Sequence, residues 1–512
     1  MPVPYLQNKP AVLPINNGRQ LFVDSFLISS TNLRSVYHTP NFYKGNPVLE
    51  PTEKWENTTE GAPYAAPFSD GIWYDEKEGI FKMWYLAGAG TMHKQSNQTF
   101  YTCYAESKDG KNWKKVNLDI VPGTNIVDTC DRDAATIWLD RTEKNPERRW
   151  KLFNIERRPT DKRWQIILKY SADGRKWSRG VAQSGDVYDR TTAFYNPFTK
   201  RWALSLRWST PVSSRSRAYA ENEDPEMLVS LTHRVRKDAA DHNLRFWFTP
   251  DDKELRHPKY PDVEPGIYNF DVIAYESIML GQYAAWCGPE NDICKRDGIQ
   301  KRNVIELGYS RDGFHFARPT HQPFMNVNET EGAWNWGNMQ SINGTPLIVG
   351  DSLYFYSSGR RLNKIMWDSY TSTGLATLRR DGFVSMRAGN KEGFLTTEKL
   401  SFDGKYFFVN ADVKAKGAQL KVELLDADGN PIPGFTKRDC VVMRGADKTK
   451  QLITWKGKQD LGELKGSTIR AKFYLTRGDL YAFWISPWAS GESRGYTGGG
   501  GPGLNASGID TK

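Results

Sequence analysis

Asp133-Ala-Ala-Thr136-Ile-Trp138-Leu-Asp140 is echoed 56 residues later by Asp189-Arg-Thr-Thr192-Ala-Phe194-Tyr-Asn196. Aspartate, threonine, aromatic and Asp/Asn fall at the same offsets in both. A looser copy, Asp70-Gly-Ile72-Trp73-Tyr74-Asp75, keeps the second half. Past a polar turn, each copy is followed by a second aromatic strand: Phe81-Lys-Met-Trp84-Tyr85, Trp150-Lys-Leu-Phe153 and Trp202-Ala-Leu-Ser-Leu206. Repetition on this scale is the sequence signature of a β-propeller, whose innermost strands all begin around one central pocket.

A second repeat supports the first. Ser107-Lys-Asp109-Gly110-Lys-Asn-Trp113, Ser171-Ala-Asp173-Gly174-Arg-Lys-Trp177 and Ser310-Arg-Asp312-Gly313-Phe-His-Phe316 share Ser-x-Asp-Gly-x-x-aromatic. Asp-Gly between apolar runs marks a hairpin, because glycine supplies the positive φ at low cost. The serines stand 64 and 139 residues apart. The second gap is about double the first, so a degenerate copy is expected near Leu228–Phe248. A period of roughly 65 over residues 50 to 375 gives about five units. These turns, and the caps expected from Asp75, Asp140 and Asn196, are read as architecture rather than chemistry.

The chain has 512 residues, enough for two or more full-sized cores. Aromatic residues make up 13%, with 18 tryptophans, which suits strands packed face to face and also suits sugar binding. No apolar run is long enough to cross a bilayer. Met1-Pro-Val-Pro reads like a mature start, and a periplasmic or extracellular location is expected. The net charge of +10 favours acidic partners, but Lys and Arg are dispersed and no nucleic-acid motif occurs. Five cysteines are too few for the fold to depend on disulfides; only Cys287 and Cys294 are close enough in sequence to bridge a loop. No metal-ligand spacing and no cofactor motif is present, leaving only a structural calcium ion at the axis open.

The fold expected is all-β: a five-bladed β-propeller followed by a C-terminal β-sandwich. Residues 1–374 form the propeller, with 19–28 as an opening strand that completes the last blade. Residues 375–490 hold short alternating strands such as Gln419–Leu425 and Thr468–Tyr474 and form the sandwich. Residues 491–512, with Gly498-Gly-Gly-Gly-Gly501-Pro-Gly503, read as a flexible tail on composition.

In this arrangement Asp133 and Asp189 open adjacent innermost strands and point at the axis. Carboxylates gathered there repel one another and resist dehydration. Glycoside hydrolysis needs such a gathering: one carboxyl protonates the leaving oxygen, a second acts as base or nucleophile, and a third tunes the acid.

With Arg132-Asp133 opening its second unit, the chain resembles the five-bladed glycoside hydrolases of families 32, 43, 68 and 130. The entry Asn46-Pro47-Val48-Leu49-x-Pro51 resembles the approach to blade one in family 130, and a β-sandwich follows the propeller in family 32. The resemblance implies that Asp133 stabilises the transition state, although Ala134 replaces the family's Pro. It implies that Asp70 supplies the blade-one aspartate, with Gly71 in place of Pro and Glu60 as another nearby acid. Asp189 stands where the family carries Glu, and Glu276 is the nearest strand Glu in a later unit. Asp70, Asp133, Asp189 and Glu276 are therefore the expected catalytic ring.

Substrate binding is expected from Trp334, Asn335, Trp336, Asn338 and Gln340, since indole faces stack on sugar rings and amides read hydroxyls. Asp271 joins them. Arg132, Arg190, Arg360 and Arg361 can pair with a sugar carboxylate. Asp24 is as well suited to an inter-blade bond as to catalysis, and His93 lies in a Gly-rich loop. The function expected is an exo-acting glycoside hydrolase on a plant or algal glycan, neutral or acidic, needing no organic cofactor. A non-catalytic carbohydrate-binding propeller and a glycoside phosphorylase are the alternatives.

Overall fold

The computed structural model describes residues 2–57, 62–90, 100–211, 213–233, 244–361 and 370–512. Nearly all regular structure is β, in several discrete antiparallel sheets. The first array runs from Ile72–Asp75 through Ile80–Gly90 and Tyr101–Ser107 to Lys114–Lys115. The second runs Arg132–Leu139, Trp150–Arg157, Trp164–Ser171, Ala182–Gln183. The third runs Thr192–Asn196, Arg201–Trp208, Ser216–Asn222, Arg245–Phe248. The fourth holds Gly266–Glu276, Ile278–Gly288 and Arg302–Ser310. The fifth holds Leu347–Val349, Ser352–Arg361 and Tyr370–Arg379, and meets the first through one parallel bridge, Thr371 to Tyr64.

The first sequence repeat is explained residue by residue. Its aspartate or asparagine caps the turn that follows: Asp75 accepts from the Lys77 amide at 3.1 Å, Asp140 from Thr142 at 2.9 Å and Asn196 from Phe198 at 3.0 Å. Its threonine joins one sheet to the next. Thr136 Oγ1 accepts from the Ala193 amide at 3.0 Å, and Thr192 Oγ1 donates to the Phe270 carbonyl at 3.0 Å. Trp73 Nε1 donates to the Ile137 carbonyl at 2.8 Å, Gln282 Nε2 to Gly344 at 2.7 Å, and Thr345 Oγ1 to Ile72 at 2.6 Å. These bonds run first to second, second to third, third to fourth, fourth to fifth, and fifth to first.

The second repeat does more than turn the chain. In each copy the serine hydroxyl accepts from the Asp and Gly amides, and the aspartate accepts from the two amides beyond. The glycine carbonyl or its neighbour is then gripped by the preceding sheet. Tyr356 donates to Gly110 at 2.6 Å, Trp84 to Gly174 at 2.7 Å and Asn196 to Asp312 at 3.0 Å. Gly174 has φ +76°, and a Cβ there would sit 2.5 Å from the Trp84 ring. Positive φ and a close neighbour both demand glycine.

The missing copy lies slightly upstream of Leu228–Phe248, at the end of the third sheet's third strand. Asn222 accepts from the Asp224 amide at 3.0 Å, and Asp224 accepts from Glu226 at 2.7 Å. Pro225 stands where the others have Gly, so the chain leaves in a short helix, Pro225–Leu231, instead of a hairpin.

Residues 19–28 do not complete the last array. Gln20–Leu21 pairs with Ala482 and Phe483 in a six-stranded sheet, and Ile28–Thr31 pairs with residues 395–397 in a five-stranded one. Residues 41–49 take the expected role instead: Asn41–Phe42 and Leu49 pair with Tyr370–Arg379. Arg34–Tyr37 also joins the six-stranded sheet, against Val384–Arg387; the two sheets otherwise draw on residues 384–486 and share one apolar cluster that includes Phe22, Phe407, Phe473 and Phe483. The N-terminal segment thus belongs with the C-terminal sheets, because its apolar residues complete their core.

The glycine-rich segment is not a free tail. Tyr496–Thr497 pairs with Tyr275 and Glu276, the Tyr74 amide donates to Gly499 at 2.9 Å, and the Ile348 amide donates to Gly500 at 2.8 Å. It therefore lies against the first strands of the first, fourth and fifth sheets. A Cβ on Gly501 would fall 1.7 Å from the Ile348 carbonyl oxygen, so glycine here serves close backbone approach. Cys287 and Cys294 are both free thiols.

Candidate active site

Four aspartates lie in the field of one guanidinium, that of Arg190. Asp70 lies two residues before the first strand of its sheet and Asp189 three residues before its own; Asp133 lies at the start of its strand, and Asp271 within Gly266–Glu276. Arg190 is in contact with Asp133. Its backbone amide and its Nε donate to Asp133 Oδ2 at 2.9 and 2.8 Å. Its charge also acts on Asp70, Asp189 and Asp271. Arg190 has φ +57°, which non-glycine residues adopt at a cost, and its carbonyl accepts from Arg217 at 2.6 Å. Phe68 lies under its guanidinium, 3.0 Å from ring centroid to Cζ.

The four carboxyls have unlike surroundings. Asp70 is fully buried, accepts from the Phe68 amide at 2.9 Å and pairs with Arg132 at 2.7 Å. Burial raises its proton affinity despite Arg132 and Arg190. Asp133 keeps 20% of its side chain exposed; Oδ2 is held by Arg190, while Oδ1 has no hydrogen-bond partner among the described residues. Asp189 pairs with Arg207. Burial would raise it, but Arg207, Arg215 and Arg190 together hold it below the usual carboxylate range. Asp271 is buried and accepts on Oδ2 from Ser69 Oγ at 3.0 Å and Asn269 Nδ2 at 2.8 Å. Burial dominates there and pushes it up to about 7.

Cations outnumber acids at this mouth. Arg217 is buried and donates to Ser205 and to the Tyr268 and Arg190 carbonyls, and burial lowers it to about 9. Tyr268 accepts from Gln340 Nε2 at 2.9 Å, and Gln340 in turn accepts from Arg360. Burial would raise the Tyr268 phenol, but Lys301, Arg215 and Arg190 bring it down to about 8. Arg207, Arg215, Arg217, Lys301 and Tyr268 were not singled out from sequence. The signal available for Tyr268 and Asp271 was a polar alternation, Asn269 and Asp271, within an otherwise apolar strand.

Glu276 stands apart. It occupies the far end of the strand that carries Asp271, accepting from the Arg19 amide at 3.0 Å, Ser493 Oγ at 2.7 Å and Arg380 at 3.1 Å. Five residues of strand separate it from Asp271, roughly 16 Å at about 3.3 Å per residue. It ties the N-terminal and C-terminal segments to the fourth sheet.

The aromatic cluster divides as well. Trp334 packs across the fifth sheet, where a Cβ on Gly359 or Gly374 would come within 2.3 or 2.0 Å of its indole, and meets Phe42 at 5.8 Å. Asn335 and Asn338 are buried, and Asn338 accepts from Asn303 at 2.8 Å. Trp336 is half-buried and bridges to Asn328. Of this group only Gln340, with Arg360, reaches the mouth. Arg361 lies over Tyr370. Asp24 pairs with Arg311 at 3.1 Å, away from the mouth. Glu60 and His93 lie outside the described residues.

Two acidic groups have ligand-like spacing, Asp128–Cys130–Glu156 and Asp251–Glu254–His321. Lys169 occupies the first, at 2.6 Å from Asp128 and 2.9 Å from Glu156, and Arg318 occupies the second. No helix among the described residues is long and apolar enough to cross a membrane.

No family model matches the sequence, and no curated protein matches it. Solved structures similar to this chain are diverse and distant. One belongs to work on family 130 mannoside phosphorylases and hydrolases that target β-1,2-mannosidic linkages in Candida mannan: 14% identity, 70% of this chain, 96% of that one, TM-score 0.42. A fructofuranosidase from Schwanniomyces occidentalis has 10% identity over 88% of this chain and 98% of its own, TM-score 0.39. An N-acetylgalactosamine deacetylase from F. plautii has 12% identity over 69% and 97%, TM-score 0.43.

Proposed function

We propose that this protein is a glycoside hydrolase whose first five sheets close into a five-bladed propeller, braced by a β-sandwich built from residues 13–37 and 384–486. The circuit of bonds through Trp73, Thr136, Thr192, Gln282 and Thr345 supports closure. The shared apolar cluster of the six- and five-stranded sheets supports the sandwich.

One observation carries the chemistry: in the field of a single arginine, Asp271 holds its proton to about pH 7 while Asp189 is held below the usual carboxylate range. Divergent proton affinities in adjacent carboxyls assign an acid and a base. Asp271 is the general acid. Its bonds from Ser69 and Asn269 are both accepted by Oδ2, so Oδ1 is left to carry and deliver the proton to the leaving oxygen. Asp133 is the base or nucleophile, oriented through Oδ2 and presenting Oδ1 to the opening. Asp189 adds negative charge opposite a developing oxocarbenium ion, and Asp70 holds Arg132 in place. The exo mode belongs to this reading through the resemblance in sequence.

A carbohydrate-binding propeller without catalysis is the second reading, favoured by the pairing of Asp70 and Asp133 with arginines of the following sheet. Release of product from neutral and acidic oligosaccharides, with and without phosphate, separates the two. Wild-type turnover that disappears in Asp133→Asn and Asp271→Asn establishes the hydrolase. Equal binding by all three proteins with no turnover establishes the binder, and strict phosphate dependence would make the enzyme a phosphorylase.

A further inference from the structure

One corner, beside Tyr268, holds cations with no paired carboxylate among the described residues. Lys301 is 5% exposed, and its Nζ lies 5.3 Å from the Tyr268 ring centroid. No carboxylate pairs with it among the described residues. Arg215 lies 4.2 Å from the same ring and 6.0 Å from Trp286, and its buried Nη1 has no hydrogen-bond partner among the described residues. Asp189 is the acid that reaches this corner, and Arg207 already pairs with it. Arg360 closes the corner through Gln340, which also bonds Tyr268.

Such an arrangement is unfavourable for folding alone. A buried ammonium loses hydration and here also faces like charges: burial, with Arg215 and Arg360, pushes the proton affinity of Lys301 down. An apolar side chain would serve stability better. What the corner lacks, among the described residues, is an anion.

We propose that Arg215, Lys301 and Arg360 form an oxyanion subsite, and that the substrate is a glycan carrying a sulfate or carboxylate group on the residue bound at this corner. In calling that glycan a substrate the proposal rests on the hydrolase reading; the subsite itself does not. Guanidinium groups grip two oxygens of such an anion, the Lys301 ammonium shares one of them or takes the third oxygen of a sulfate, and the Tyr268 hydroxyl lies alongside. An anion placed there would also relieve the field that holds the Tyr268 phenol near 8.

The first arm uses the full chain with sodium sulfate against sodium chloride at matched ionic strength. Sulfate is expected to raise Tm and to shift the Tyr268 titration, read as tyrosinate absorbance, upward from about 8. Both effects are expected to vanish in Lys301→Met and Arg215→Met. Lys301→Met should also be more thermostable than wild type without anion, so loss of the response is not loss of the fold.

The second arm measures binding of a sulfated galactan oligosaccharide, an oligogalacturonide and their neutral counterparts. At least one charged member is expected to bind about tenfold or more tighter than its neutral counterpart, with that advantage lost in Arg215→Met. No advantage of charge, or an advantage that survives both substitutions, overturns the proposal. Free sulfate or phosphate binding without preference for charged glycans overturns it too, and makes the corner a site for a free anion. Neither arm reads turnover. Charged-glycan binding without turnover would leave the subsite standing and remove the hydrolase reading. Turnover of a neutral glycan, indifferent to Arg215→Met, would do the reverse.

Discussion

Asp271→Asn should reverse the pH dependence of stability that the buried carboxyl imposes. In the native state its pKa is raised from 3.8 to about 7, chiefly by burial. Below about pH 4 the group is protonated in both folded and unfolded chains and costs nothing. As the pH rises towards about 7, the unfolded chain releases the proton and the native one does not, so native stability falls by roughly 1.4 kcal/mol per pH unit. The full span is worth about 4 kcal/mol, and the part between about pH 5 and pH 8 about 3 kcal/mol. Asparagine keeps the geometry, because its Oδ1 can accept from Ser69 and Asn269 as the carboxylate does. Urea unfolding followed by tryptophan fluorescence at about pH 5 and pH 8 gives the comparison, and the variant should gain about 3 kcal/mol on wild type across that interval. A stability difference that stays flat with pH would show that Asp271 is ionised in the native protein, and would remove it as the general acid. In turnover the same proton sets the alkaline limb, so wild-type activity should decline through about pH 7.

Other consequences follow from the same contacts. Gly174→Ala should destabilise by about 2–4 kcal/mol in denaturant unfolding, since it combines a positive φ with a clash against Trp84. Glu276→Gln should lower stability by roughly 3 kcal/mol, leaving Arg19 and Arg380 short of a buried counter-charge, yet leave glycan binding unchanged. Gly501→Val should weaken the fold and increase protease sensitivity near Tyr496–Thr497, because no side chain fits against Ile348. Asp133→Asn should reduce turnover at least a hundredfold with little change in Tm, because the amide oxygen can accept the two bonds that Arg190 donates to the carboxylate.

The features legible in sequence were those whose cause is local. Ser-x-Asp-Gly turns and Asp/Asn caps are made by amides two or three residues away, so their spacing marked out the sheets correctly. The same locality concealed their second role. Nothing near Gly174 in sequence shows that Trp84 grips its carbonyl, and composition alone made Gly498–Gly503 look mobile when it is packed against three strands.

The candidate site was half legible for the same reason. Asp133 and Asp189 hold the same place in a repeated phrase, at or just before the start of a strand, which is what marked them as neighbours; Asp70 stands two residues nearer its own aromatic residue. Asp271 and Glu276 share one strand and could not be ranked by residue type. Tertiary structure separated them, sending Asp271 to Ser69 and Asn269 and Glu276 to Arg19 and Arg380 at the other end. Likewise Arg215 and Lys301 lie 86 residues apart with no motif, and only packing against Tyr268 brings both to one corner. Sequence alone determined the repeating β architecture, because hydrogen bonds between near neighbours build it. Which charges share a solvent-poor space, and hence which carboxyl keeps its proton, was decided by long-range packing.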